Sequence, residues 1–63
     1  MSAHPVTEAQ LLRLHELRRQ LGWSYPALRL ESRRLCGADP DRLLRAEADV
    51  LIDILVGLVR GSA

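Results

Sequence analysis

Leucines recur at helical spacing in the first third of the chain and form a single stripe. Thr7 is followed three positions later by Gln10, a capping-box pattern in which each side chain satisfies a backbone N–H group at the start of a helix. Gly22 follows the stripe and is typical of a helix end. The pattern predicts a helix from Glu8 to about Leu21. The stripe consists of Leu11, Leu14, Leu17 and Leu21.

A second helix is predicted between two glycines. Ser24 followed by Pro26 is typical of a helix start, because serine caps the first turn and proline lacks an N–H group that would be unpaired there. The helix should end at Leu35 or Cys36, just before Gly37. Its predicted inward residues are Leu28, Ser32 and Leu35.

A third helix is predicted from Pro40 to about Val59, because Asp39 and Pro40 repeat the cap-then-proline signal. Its apolar arc spans roughly 240°, whereas a surface helix needs only a little over 100°. Something must therefore cover the excess. The central stripe, in steps of four and three, is Leu44, Ala48, Leu51, Leu55 and Leu58. The two flanks are Ile52, Val56 and Val59 on one side, and Leu43, Val50 and Ile54 on the other.

These elements predict an all-α fold, a compact three-helix bundle with short glycine-containing turns and a long third helix over residues 7–60. Residues 1–6 are predicted to be a flexible N-terminal tail, and residues 61–63 a C-terminal tail. The chain has 63 residues, enough for one domain. A domain of this size buries only about 60% of the surface that its unfolded chain exposes. We therefore expect marginal stability and a need for a partner or a second copy.

Composition excludes several classes of protein. With 48% hydrophobic residues and a net charge of +1, the chain lies outside the range typical of disordered proteins. Its longest apolar run, residues 54–59, is far shorter than the roughly 20 residues that cross a bilayer, so no membrane span is predicted. Cys36 is the single cysteine, and no signal-peptide pattern is present, which together predict a cytoplasmic location.

Candidate catalytic or metal-binding groups are isolated. His4, His15 and Cys36 lack the spacing to one another or to an acid that a metal site or an activated nucleophile requires. The glycines stand singly and form no phosphate-binding loop. We therefore predict no enzyme activity, no metal, no cofactor and no small-molecule substrate. The acids of the C-terminal half are spread around a helix: Asp39, Asp41, Glu47, Asp49 and Asp53.

Charge is divided unevenly along the chain. Residues 1–38 carry six arginines and three acids, whereas residues 39–63 carry three arginines and five acids. Arginines beside aromatic rings suit a phosphate backbone and an unstacked base, which predicts DNA or RNA binding. Solvated arginines and a turn that staples two helices explain the same residues, so both explanations stay open. The predicted nucleic-acid-binding residues are Arg18, Arg19, Arg29, Arg33, Arg34, Trp23 and Tyr25.

The wide apolar arc of the third helix also has two explanations. It is either the core helix of a monomer, with its outer residues buried within one chain, or an interface for a homodimer or a larger protein partner. The predicted interface residues are Leu43, Val50, Ile54 and Val56. Glu47 and Asp53 lie on different sides of this helix, and we expect them to pair with arginines of the first two helices.

The order of these signals matches a known pattern. The stretches are Thr7-Glu8-Ala9-Gln10, Leu14-His15-Glu16-Leu17, Leu21-Gly22, Arg33-Arg34-Leu35-Cys36-Gly37 and Arg45-Ala46-Glu47-Ala48 leading to Leu51-Ile52-Asp53. Over residues 7–55 the chain resembles the short helical module of Mu-like phage GemA regulators and of some phage recombination and DNA-processing proteins. The most specific piece is the Glu-Ala-x-x-Leu-Ile-Asp signature. The resemblance implies an accessory role in DNA transactions and identifies no catalytic residue.

Two positions depart from the family pattern. Leu44 stands where a threonine usually caps the helix before the signature, which favours an earlier helix start at Asp39. Asp49 stands where a small residue is usual. Two hypotheses follow for function. The first is an accessory module of a DNA recombination, replication or regulatory system that binds nucleic acid weakly through its arginines. The second is a protein interaction or homo-oligomerisation module that uses the apolar edge of the third helix without nucleic-acid contact.

Overall fold

A computed structural model describes residues 3–61 and contains three helices. They are α1 (Glu8–Gln20), α2 (Tyr25–Cys36) and α3 (Arg45–Gly61), with a short 3-10 turn (Pro40–Arg42) before α3. The predicted all-α three-helix bundle is confirmed. Residues 1, 2, 62 and 63 lie outside the described part of the chain, and so do the tail predictions made for them. Gly61, predicted to begin the C-terminal tail, is instead the last residue of α3.

The capping box of α1 forms as predicted. Thr7 has extended backbone, its Oγ1 accepts a hydrogen bond from Gln10 N at 3.1 Å, and Gln10 Oε1 accepts one from Thr7 N at 3.0 Å. Two first-turn N–H groups are thereby satisfied. The helix ends at Gln20, and Gly22 follows in the left-handed conformation with a φ of 74°. The chain can therefore reverse direction without strain.

Helix α2 also has its predicted ends. Ser24 Oγ accepts a hydrogen bond from Ala27 N at 3.3 Å, and Gly37 closes the helix with a φ of 79°. Leu35, predicted to point inward, is 39% exposed, so that prediction is wrong. The segment after Gly37 folds back over Ser32 instead, since Ser32 Oγ donates to Ala38 O at 2.6 Å. Ser32 is therefore fully buried with its hydroxyl satisfied.

The predicted start of α3 at Pro40 is wrong. Asp39 makes no side-chain cap hydrogen bond, the 3-10 turn ends at Arg42, and Leu43 has extended backbone. Leu44 N donates to Glu47 Oε1 at 2.8 Å, which satisfies the donor just before Arg45, where the helix begins. A glutamate three residues after this position supplies half of a capping box. The earlier helix start at Asp39, which the leucine at position 44 favoured, is therefore wrong.

An extended N-terminal segment explains why the chain between α2 and α3 is not helical. Pro5 forms an isolated antiparallel bridge with Leu44. Two hydrogen bonds of 2.8 Å join Val6 N to Leu43 O and Arg45 N to His4 O. This pairing differs from the flexible tail predicted for residues 1–6, in the part of it that the structure describes. It competes with helix formation because Leu43 O and Arg45 N would otherwise form hydrogen bonds within a longer α3.

The core is built mainly of leucines from all three helices. Leu43 lies outside the helices and is nevertheless a core residue, only 1% exposed. The predicted stripes supply most of the core, but Leu44 and Leu58 of the central α3 stripe are 41% and 42% exposed. The prediction that these two residues lie inward is wrong. The buried hydrophobic residues are Leu14, Leu17, Leu28, Leu43, Ala48, Leu51 and Leu55.

One side chain aligns the first and third helices. Gln10 Nε2 donates to Arg45 O at 3.0 Å and to Asp49 Oδ1 at 2.7 Å, so α1 and α3 begin at the same end of the bundle. Cys36 Sγ lies 3.8 Å from Glu47 O, which places the end of α2 there as well. The helices therefore run up, down and up.

Core truncation tests this account. We expect Leu51→Ala to lower the free energy of unfolding by about 2–5 kcal/mol, because Leu51 is fully buried between helices and its removal leaves a cavity. Leu12, which is 59% exposed, provides the matched control, and Leu12→Ala should change stability by less than about 0.5 kcal/mol. Urea unfolding followed by far-UV circular dichroism measures both. Equal effects of the two variants would contradict the assigned core.

Candidate functional site

The two arginines at the end of α1 have different surroundings. Arg18 Nε donates to His15 Nδ1 at 3.1 Å, and Arg18 Nη1 donates to Trp23 O at 3.1 Å. Arg18 is half-buried, and its guanidinium holds the turn between α1 and α2. Arg19 is exposed and forms no side-chain hydrogen bond or ion pair within residues 3–61. Only Arg19 of this pair is open to a ligand.

The two aromatic residues contribute to the same turn. Trp23 is half-buried against the core, and its backbone N donates to Arg18 O at 2.8 Å. The Tyr25 ring stacks on His15, with centroids 5.4 Å apart and an angle of 22° between the ring planes. One face of Tyr25 is thus covered within the chain. These contacts match the explanation in which Trp23 and Tyr25 hold α1 and α2 together at the turn between them.

Asp39 forms ion pairs with two arginines of α2. Arg33 donates from Nε to Asp39 Oδ1 and from Nη2 to Asp39 Oδ2, the latter at 3.2 Å. Arg29 Nη2 lies 3.7 Å from the same carboxylate. The hydrogen bonds from Arg33, together with the charges of Arg33, Arg29 and Arg42, lower the pKa of Asp39 below its ordinary value. The same hydrogen bonding raises the pKa of Arg33.

Arg34 pairs within its own helix. Its Nη2 lies 2.7 Å from Glu31 Oε2, one turn earlier, and this hydrogen bond raises the pKa of Arg34. Exposed ion pairs of this kind are worth about 0–1 kcal/mol, so a phosphate group could compete for either partner. Of the five predicted arginines, three therefore face carboxylates, one supports a turn and one is open.

The predicted ion pairs of α3 are replaced by others. Glu47 was expected to meet an arginine, but its carboxylate accepts from Leu44 N at the start of its own helix. Asp53 is exposed, and within residues 3–61 it has no ion pair. The prediction for these two acids is therefore wrong in this structure. Asp39 instead joins the acidic half of the chain to the basic half.

A row of apolar side chains lies on the outer surface of α3. Val50, Ile54 and Leu58, which we call the α3 row, stand four residues apart and are 54%, 36% and 42% exposed. Residues at this spacing lie along one side of a helix. The other predicted interface residues lie elsewhere. Leu43 is a buried core residue outside the helix, which corrects that assignment, and Val56 is half-buried against the core.

The α3 row is exposed because it lies on the side of α3 that faces away from the core. Ala48, Leu51 and Leu55 lie on the opposite side and are fully buried. The explanation in which one chain buries the whole arc therefore fails for Val50 and Ile54. The four-residue steps could have revealed Leu58 as a member of the row.

Further binding chemistry is sparse in the described part of the chain. Within residues 3–61 no three histidine, cysteine or acidic side chains come together to hold a metal ion. No helix in this range has the length and apolar character to cross a membrane. Two open pockets of about 340 and 280 Å³ lie on the surface. The second lies on the outer side of α2 and is lined by Pro26, Arg29, Leu30 and Arg33.

The charge cluster at Asp39 gives a testable pH effect. Its lowered pKa means that the carboxylate contributes fully to stability above the ordinary aspartate value of about 3.9 and loses its contribution as pH falls through the lowered pKa. We expect Arg33→Gln to raise the pKa of Asp39, measured by an NMR titration of its carboxyl carbon. Arg34→Gln, which removes a guanidinium paired with Glu31, is the matched control and should leave it unchanged. The same Asp39 titration in all three proteins would contradict the assigned pairing.

Comparison with family models, curated proteins and solved structures finds no match to this chain. The resemblance to the Mu-like phage module stays a prediction that depends on the residues quoted for it. The predicted cytoplasmic location is likewise untested. The contacts described above are therefore the basis for assigning a function.

Proposed function

We propose that this chain is a non-enzymatic interaction module that binds protein through the α3 row. The observation that supports this most directly is the exposure of three large apolar side chains, four residues apart, on the helix that also supplies the core. Burying apolar surface is favourable by about 25 cal/mol per Å². A partner that covers Val50, Ile54 and Leu58 would therefore gain binding energy from surface that the chain itself leaves in water.

The geometry suits recognition between helices. Apolar anchors that follow one another by about one turn along one side of a helix are typical of helix-in-groove binding. The opposite side of α3 is held in place by Ala48, Leu51 and Leu55, which are fully buried. The row is thus presented on a supported helix, and little conformational entropy is lost when a partner binds.

Replacement of one row residue tests the proposal. We expect Val50→Asp to reduce the retention of bound proteins at least tenfold, because a charge would be buried without a partner. The protein would be immobilised, exposed to an extract of its source cells, and the retained proteins quantified by mass spectrometry.

The matched control is Leu12→Asp, which introduces the same charge at a similarly exposed leucine of α1. It should retain what the unaltered protein retains. Circular dichroism confirms that both variants are folded. Equal retention by both variants, or none by the unaltered protein, would contradict the proposal.

A second candidate is the accessory module of a DNA recombination, replication or regulatory system. The observation that favours it is the exposure of Arg29, Arg33 and Arg34 on α2. These arginines belong to residues 1–38, which carry a net charge of +3. Their carboxylate pairs are on the surface, where phosphate can exchange with carboxylate. The resemblance to the phage module supports the same candidate.

Salt-dependent binding tests this second candidate. Fluorescence anisotropy of labelled DNA and RNA should show affinity that falls with salt along a slope of several phosphates. We expect the double change Arg33→Ala and Arg34→Ala to reduce that slope by about two phosphate contacts. Arg60→Ala, at the far end of α3, is the matched control. Absence of binding at high protein concentration would reject the candidate.

A further inference from the structure

The surface of α3 carries a groove beside its apolar ridge. The neighbouring row, also in steps of four, consists of Asp53, Gly57 and Gly61. A Cβ atom built on either glycine would meet nothing within 4 Å, so the groove is open along the helix. Ridges and grooves of residues four apart interdigitate in the commonest class of helix packing, with axes crossing at about 50°. One helix of this chain therefore supplies both halves of such a contact.

Two charged residues near Gly57 favour one orientation of a second α3 helix. Asp53 and Arg60 are seven residues apart, so they lie on the same side of α3, and both are exposed. Neither forms an ion pair within residues 3–61. In a parallel pair of α3 helices, each charge would face its own copy and repel it. In an antiparallel pair that crosses near Gly57, Asp53 of one copy faces Arg60 of the other, twice by symmetry.

We infer that the α3 row binds a second copy of this chain, with the two α3 helices antiparallel and crossing near Gly57. This inference rests on the proposed function, in which the row is the binding surface. The same crossing places Ile54 of one copy beside Leu58 of the other, so apolar surface and charges match in one register. A two-fold axis makes the contact self-complementary and closed, which limits the assembly to a dimer.

The dimer is weak because its contact is small. Stable interfaces bury about 800 Å² on each partner, more than one short helix crossing provides. We therefore expect a dissociation constant above about 1 μM. The glycines matter for this contact because they let the two helix backbones approach closely. A larger side chain at Gly57 would hold the helices apart.

Sedimentation equilibrium across micromolar to millimolar concentrations tests the inference. The average mass should rise from the monomer mass of 7.1 kDa towards twice that value. Gly57→Leu should raise the dissociation constant at least tenfold. Leucine is the better helix former, and a Cβ atom at residue 57, an exposed position, meets nothing within 4 Å, so we expect the variant to fold; far-UV circular dichroism checks this.

Charge exchange tests the orientation. Asp53→Arg and Arg60→Asp should each weaken the dimer about fivefold, because each creates two like-charge contacts. The double variant should return to within about twofold of the unaltered protein, because the exchanged charges pair again. A parallel dimer would show no such recovery. A dissociation constant that is unchanged by Gly57→Leu and by both charge reversals would overturn the inference.

Failure of the inference differs from failure of the proposed function. If the protein stays at 7.1 kDa at every concentration while Val50→Asp still loses a retained protein, the second copy is excluded and the row remains a binding surface. If Val50→Asp changes neither mass nor retention, both proposals fail. If the mass rises and responds to Gly57→Leu and to charge exchange, both stand.

Discussion

The contact between α1 and α3 is the constraint on which the rest of the structure depends. Leu14 and Leu17 share a core with Ala48, Leu51 and Leu55, and within residues 3–61 this core has only seven buried hydrophobic residues. Each fully buried leucine contributes about 1.5–3 kcal/mol, and a chain this short has few of them to oppose its conformational entropy. α2 and the extended segment at Pro5 and Val6 lie against this pair of helices. A change in the size of any of these five core side chains would therefore disturb the packing.

Polar contacts fix how α1 and α3 are aligned along their lengths. Gln10 caps α1 through its Oε1 atom and binds Arg45 O and Asp49 through its Nε2 atom, so one amide serves both helix starts. Asp49 thus has an internal partner. The extended segment at Pro5 supplies backbone partners next to Leu43, which allows that leucine to be buried although its segment is not helical.

The packing of the three helices leaves a charged surface at Asp39 and an apolar surface on α3. Where α2 ends, Asp39 gathers Arg29 and Arg33, and the resulting cluster ties the two oppositely charged halves of the chain together. On the side of α3 that faces away from the core, Val50 and Ile54 remain exposed to water. Arg29 and Arg33 thus have an internal carboxylate partner that a nucleic acid would have to replace, whereas the side chains of Val50 and Ile54 are already exposed for a protein to cover.

The sequence by itself determined the elements whose signals are local. The capping box at Thr7 and the left-handed glycine at Gly37 act within a few residues, so the start of α1 and the end of α2 follow from them. Only the tertiary structure decided where α3 begins, because the competing partner of Leu44 is the distant Pro5. It also decided that Leu43 is buried and Leu58 exposed, since burial depends on which neighbour covers a side chain, and helical periodicity records only the side of the helix on which it lies.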